Sequence, residues 1–284
     1  MIRDFDGAAI ERGGWRLVIC GARTLEVGLR EAAVQCALEA AAGRGAGVLR
    51  RSRRAATYRV RLEDGGDFFI KVFDAPRGFE RLKRLLSGSR AAHIAAISAE
   101  IRSAGLNAPA VVIWGRERSS GREIVVTPRA DGVMPTRYLR GAPRGAAIAR
   151  KRAMLRAVGA EIARLHRAGF VHGDLTPFNI IVGDGDPPRI WFIDHERTRS
   201  AGSLTPARAR RRNLVQLGRF SFAGLSRADR MRVWSSYASA MPPRRRRAEL
   251  RRVLRMVVAR VARDGAKATD SAPPIPVRPE VREG

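Results

Sequence analysis

One stretch of this 284-residue chain constrains its fold more than any other. Val171-His172-Gly173-Asp174-Leu175-Thr176-Pro177-Phe178-Asn179 runs directly into the apolar Ile180-Ile181-Val182. A second apolar run, Ile190 to Ile193, then delivers Asp194 at its end. Two such runs predict a β-hairpin. It opens on Asn179 and closes on Asp194, while Asp174 sits on the loop that leads into it. Three side chains that offer oxygen atoms are thereby brought together by local geometry alone.

Phosphoryl transfer needs such a set. It asks a protein mainly to position groups and offset charge: a carboxylate to take the hydroxyl proton, oxygen ligands for magnesium, and a cation on the nucleotide phosphates. The spacing here is that of a kinase catalytic loop. Asp174 is the candidate catalytic residue, orienting an acceptor hydroxyl and taking its proton. Asn179, five residues on, and Asp194 are the candidate magnesium ligands. Lys71 lies within Phe69-Ile70-Lys71-Val72-Phe73, an apolar strand flanking one cation, and is the candidate ATP-binding residue. Only four of the 55 basic residues are lysines, which makes that placement conspicuous. Singly, Asp174 fits a turn cap, Asn179 a loop hydrogen bond and Lys71 a solvent-facing strand position. Jointly and in this order they fit a phosphotransferase. His172 is read as supporting the loop through backbone hydrogen bonds. Gly173 stands where many protein kinases carry an arginine that pairs with a phosphorylated activation loop, so regulation by that route is not expected.

Upstream, Trp15 to Cys20 and Thr24 to Leu29 predict an initial hairpin, and Val48 to Val60 and Phe68 to Phe73 predict two antiparallel strands around the turn at Asp64-Gly65-Gly66. Ile94, Ile97 and Ile101 between Ser89 and Ala104 predict an amphipathic helix stopped by Gly105. Ala110 to Trp114 and Glu123 to Thr127 read as further strands, broken at Pro128. A helix over Ala147 to Ala168 places Met154, Val158, Ile162 and Leu165 on one face. Beyond the loop, Ala207 to Ser221, Arg227 to Ala240 and Arg244 to Arg263 read as helices, with Pro242-Pro243 as a separator. The expected architecture is α+β, a protein-kinase-like bilobal fold. Residues 1–128 are expected to form a small N-terminal lobe, a nucleotide-binding β-sheet plus one helix, 129–265 a helical catalytic lobe, and 266–284 a disordered tail.

A hydrophobic content of 45% fills one large domain or two modest lobes and excludes disorder throughout. No run of about 18 uncharged apolar residues occurs, and Asp4 and Asp6 lie where a signal peptide would be apolar, so a soluble cytoplasmic protein is expected. Cys20 and Cys36 have neither metal-ligand spacing nor the density of a disulfide framework. The net charge of +28 attracts polyanions, but an Arg-, Ala- and Gly-rich chain is equally what GC-biased coding produces.

With these residues in hand, the chain resembles the lipopolysaccharide kinase family, the Kdo and heptose kinases of the Gram-negative core oligosaccharide, a branch of the protein-kinase-like superfamily. The resemblance runs from about Val48 to Tyr237. It rests on Arg51-Ser52-Arg53-Arg54, Phe69-Ile70-Lys71, Gly88-Ser89-Arg90-Ala91-Ala92, Ala104-Gly105-Leu106-Asn107-Ala108-Pro109, His172 to Asn179, Phe192-Ile193-Asp194 with Arg197, and Asn213-Leu214 through Leu225-Ser226-Arg227-Ala228-Asp229-Arg230 to Tyr237. It implies ATP and Mg2+ as cofactors and a lipopolysaccharide core sugar, Kdo or heptose, as acceptor. It also implies peripheral contact with the anionic inner membrane, with Arg208 to Arg212 or Arg244 to Arg247 available to grip acidic head groups.

Three departures stand out. Kinases usually pair the strand lysine with a helix glutamate, yet the corresponding stretch reads His93-Ile94-Ala95, and Glu100 falls at the edge of the isoleucine stripe. No G-x-G-x-x-G loop precedes Lys71; Arg50 to Arg54 stands there instead. Asp194 is followed by His195-Glu196 rather than Phe-Gly. Alternative readings are an aminoglycoside- or choline-type small-molecule kinase, an atypical Ser/Thr protein kinase, and an inactive kinase fold that binds polyanions. Nucleic acid is not an expected partner, and the intact Lys71, Asp174, Asn179 and Asp194 speak against inactivity.

Overall fold

The computed structural model describes residues 7–20, 27–44, 47–62, 66–76, 78, 88–139, 145–201, 206–222, 224–264 and 267–268. Its N-terminal half is built on a seven-stranded antiparallel sheet in the order β1-β2-β6-β7-β5-β4-β3. The strands are β1 (Gly7–Arg12), β2 (Trp15–Cys20), β3 (Val48–Arg51), β4 (Ala55–Arg61), β5 (Asp67–Phe73), β6 (Ile113–Glu117) and β7 (Glu123–Pro128).

Alternation along β5 decides its two faces. Phe68, Ile70 and Val72 join the core that includes Leu17, Ile19, Ile124 and Val126, while Phe73 packs on the opposite side with Ala55, Val111 and Val125. Lys71 shares its parity with Phe73, so strand pleating sends it to that second face. Central placement between β4 and β7, opposite Thr57 and Val125, fixes its register.

Each face is covered by a helix. Helix α1 (Val27–Ala41) packs Ala33, Val34, Ala37, Ala40 and Ala41 against the first core. Full burial of Val34 contributes on the order of 1.5–3 kcal/mol, so Val34→Asp would strip this helix from the sheet. Helix α2 (Arg90–Ser103) covers the second face through Ala91, Ile94 and Ala95 and turns Ile97 and Ile101 toward the other half of the molecule. The Ser89 hydroxyl caps it, accepting from the Ala92 amide at 3.1 Å, and Gly105 ends it at φ +74°.

Two upstream expectations change. The initial hairpin is β1 with β2, and Val27 to Leu29 opens α1 rather than a strand; Thr24 to Glu26 lie outside the described residues. The predicted Val48 to Val60 strand is two strands, because Ser52 turns the chain: its amide donates to the Ala55 carbonyl at 2.8 Å and its hydroxyl accepts from the Ala55 amide at 3.1 Å.

The C-terminal half contains α3 (Thr136–Leu139), α4 (Ala146–Arg167), α5 (Ala207–Gly218), α6 (Arg227–Ala238) and α7 (Pro243–Asp264). The 3.6-residue periodicity read from α4 is the buried stripe: Met154, Val158, Ile162 and Leu165 are at most 4% exposed. They pack with Ile101, Leu106, Leu175, Ile180 and Phe192, so the core of this half lies directly beneath the predicted hairpin. That hairpin is present as β9 (Ile180–Val182) and β10 (Ile190–Phe192), after β8 (Phe170–Val171). β11 (Arg199–Ser200) pairs with β8. The expected tail lies outside the described residues apart from Lys267–Ala268, β13, which pairs in parallel with β12 (Phe220–Ser221).

Candidate active site

Asp174, Asn179, Asp194 and Lys71 come together where the two halves meet. The Asn179 side-chain amide donates to the Asp174 carbonyl at 2.8 Å and lies 3.4 Å from its carboxylate, which leaves the amide oxygen out of these two bonds. The Ile193 amide donates to the Asn179 carbonyl at 3.0 Å, holding the residue before Asp194 beside Asn179. Asp194 takes a left-handed conformation, φ 63° and ψ 62°, a non-glycine exception that short polar side chains tolerate at moderate cost. That turn swings its carboxylate to within 2.7 Å of the Lys71 ammonium, across 123 residues of sequence. Burial alone would push the Asp194 carboxyl up, but the Lys71 charge and hydrogen bond outweigh it and hold the group below the ordinary carboxylate range.

The oxygen set suits a hard cation. A side-chain amide oxygen and a carboxylate cover two positions of an octahedron, and a magnesium ion ordinarily completes its shell with water and substrate phosphate. No cluster of three His, Cys, Asp or Glu side chains able to hold a metal occurs among the described residues.

His172 is fully buried, and its Nε2–H donates to the Ile193 carbonyl at 2.9 Å. Burial depresses its pKa and keeps it neutral. His195, 3% exposed, donates through Nε2–H to the Phe192 carbonyl at 2.9 Å. Burial, with His172 alongside, brings its pKa down to about 3. Gly173 has φ +72°, and a Cβ there would overlap the Arg197 carbonyl. The backbone after Asp194 therefore occupies the space a larger residue before Asp174 would need, which explains the glycine physically.

Several contributors were missed in the sequence. Asn213 on α5, 1% exposed, accepts the His172 amide at 3.0 Å and the His166 Nε2–H at 3.2 Å. Its neighbour Gln216 accepts the Leu175 amide at 3.2 Å and donates to the Gly173 carbonyl at 2.7 Å. Together they hold the 172–175 segment on both sides of Asp174. Thr198 donates to the His172 carbonyl at 3.1 Å. Glu100 is exposed, away from Lys71, and the carboxylate that reaches Lys71 besides Asp194 is Glu196, at 3.4 Å.

A family model for lipopolysaccharide kinases (Kdo/WaaP) matches residues 81–237, more than half of the chain. The chain belongs to that family. Its fold is protein-kinase-like: the structure of WaaP in complex with acyl carrier protein superposes with a TM-score of 0.58 at 24% identity, covering 79% of this chain and 91% of that one. The chain is also similar to a probable bifunctional tRNA threonylcarbamoyladenosine biosynthesis protein of Methanospirillum hungatei JF-1, at 32% identity over 143 residues, 50% of this chain and 24% of that protein. A probable serine/threonine-protein kinase BUD32 homolog of Archaeoglobus fulgidus is 51% identical over 39 residues, 14% of this chain and 18% of that protein. The chain thus spans a quarter or less of the length of these two curated relatives. Within the lipopolysaccharide kinase family assignment, the matched span contains Asp174, Asn179, Asp194 and Glu196 but begins after Lys71.

Proposed function

We propose that this protein is an ATP- and Mg2+-dependent phosphotransferase that phosphorylates a sugar hydroxyl of lipopolysaccharide core, Kdo or heptose. The observation that carries the reading is the convergence of Lys71 on Asp194, 2.7 Å apart, beside the Asp174–Asn179 loop. Asp174 orients the acceptor hydroxyl and takes its proton, Asn179 and Asp194 hold Mg2+, and Lys71 faces the α and β phosphates. When bound, Mg2+ neutralises charge developing on the phosphoryl oxygens. Neutral His172 keeps a second positive charge away from this loop. Membership of the lipopolysaccharide kinase family supports the sugar acceptor, and exposed Arg244, Arg245 and Arg247 on α7 are suited to acidic head groups at the inner membrane. No helix among the described residues is long and apolar enough to cross a membrane.

Asp174→Ala should abolish Mg2+-dependent ATP turnover, a loss of at least ~100-fold for a general base, while the circular dichroism spectrum stays unchanged; undiminished turnover would sink the assignment. Labelled ATP offered with core oligosaccharide, aminoglycoside and protein acceptors tests the substrate. Label on the core sugar is expected. Label only on protein would favour a protein kinase, the reading that the 39-residue likeness to a serine/threonine-protein kinase homolog supports.

A further inference from the structure

A lysine that contacts nucleotide phosphates needs a counter-charge to hold its four-carbon stem in place, since otherwise the ammonium swings among many rotamers. Protein kinases supply that charge from a glutamate on the helix after the lysine strand. Here the matching helix, α2, has one carboxylate, Glu100, and it is exposed. The Lys71 ammonium instead lies 3.4 Å from Glu196 Oε2, and the other oxygen of that carboxylate, Oε1, lies 3.4 Å from Nε of Arg90, the first residue of α2.

Both cations rest on the buried Phe73 ring, Arg90 at 4.9 Å and Lys71 at 5.2 Å from its centroid. Arg90 is itself fixed from below, because its backbone amide donates at 3.0 Å to Glu123, a carboxylate 1% exposed on β7. A second tie joins the same two elements: His93 of α2 donates through Nε2–H to the Thr198 carbonyl at 3.0 Å.

We propose that Glu196 is the positioning residue that holds Lys71 over the nucleotide phosphates, with Arg90 anchoring it to α2. The helix-to-lysine link is kept with its polarity reversed: the helix contributes the cation and the metal-bearing loop contributes the anion. Because Glu196 lies two residues after Asp194, one three-residue turn sets both the metal ligand and the lysine's counter-charge. In the usual arrangement those two groups belong to separate elements. This inference rests on the assignment of Lys71 and Asp194 to the nucleotide site.

The test is calorimetric titration of the full chain with Mg·ADP. Glu196→Gln should weaken binding by about tenfold, the scale of losing one partly exposed charge-assisted contact. Glu100→Gln should leave it unchanged. In a Lys71→Ala background, Glu196→Gln should have less than about a twofold further effect, since coupled residues do not add. A full effect of Glu196→Gln without Lys71, or none with it, overturns the proposal. If Glu196→Gln does not fold, Arg90→Ala carries the test from the other end, with a several-fold loss expected and unchanged affinity overturning it. Unchanged affinity in Lys71→Ala alone would remove the nucleotide-site assignment and this proposal together, whereas a normal Lys71 effect with silent Glu196 removes only the proposal.

Discussion

Mild acidification should destabilise this protein through the buried histidines packed around the 172–198 segment. Burial brings His166 down to about 4, opposed by its hydrogen bond to Asn213, and brings His195 down to about 3. Both start from about 6.5 in the unfolded chain. A histidine whose folded pKa is depressed leaves stability fully present above its unfolded value and removes it as pH falls, because only the unfolded chain takes up the proton. Going from pH 7.5 to pH 5.5, each unfolded imidazole gains close to one proton while its folded counterpart stays neutral. Integrating that difference gives about 1.3 kcal/mol per residue, roughly 2.5 kcal/mol for the pair. His172, shifted in the same direction, adds to the loss. Glu161, whose carboxyl burial raises, opposes it, since its protonation favours the folded state at low pH. Urea unfolding followed by tryptophan fluorescence at pH 7.5, 6.5 and 5.5 measures the slope. Replacing His166 with Gln should remove about half of the pH dependence of the pair, about 1.3 kcal/mol over this range, whatever its effect on absolute stability. Equal or greater stability at pH 5.5 would refute the view that these rings are buried neutral.

Gly173→Ala should cost about 2 kcal/mol or more, combining a left-handed backbone penalty of roughly 1–2 kcal/mol with overlap against the Arg197 carbonyl; a thermal shift below about 2 °C would contradict this. Asn213→Ala should leave the buried His172 amide without an acceptor, at about 1–3 kcal/mol. It should also lower ATP turnover more than nucleotide affinity, because the catalytic loop rather than the Lys71 strand is released. Steady-state kinetics with a parallel melt would expose equal losses in both, which would count against that division.

The 171–179 loop and the hairpin after it were legible as structure because their geometry is local: residues 171 to 194 carry their own turns, and hydrogen bonds within this stretch set the Asn179–Asp174 distance. Helices α2 and α4 were legible for the same reason, through isoleucine, methionine and leucine stripes. Helix α1 was missed although Ala33, Val34, Ala37, Ala40 and Ala41 repeat at helical spacing, since alanines make a weak apolar signal. The partner of Lys71 could not be read at all. Glu196 lies 125 residues away, and a helix glutamate was sought where the fold uses a loop. Asn213 and Gln216 were equally hidden: the family resemblance included Asn213 without a role, and their contacts cross more than 40 residues of sequence.

Helix α1 has a mechanical consequence. With α1 on one face of the sheet and α2 on the other, β5 is fully buried along the α1 face and partly covered along the Lys71 face, so it cannot bend toward α1 without opening a void in a packed interior. The strand that carries Lys71 therefore behaves as a stiff plank rather than a pliant flap. Amide protons of β5 and β7 should exchange with solvent only in rare openings that lift a whole helix, far more slowly than those of the exposed edge strand β3.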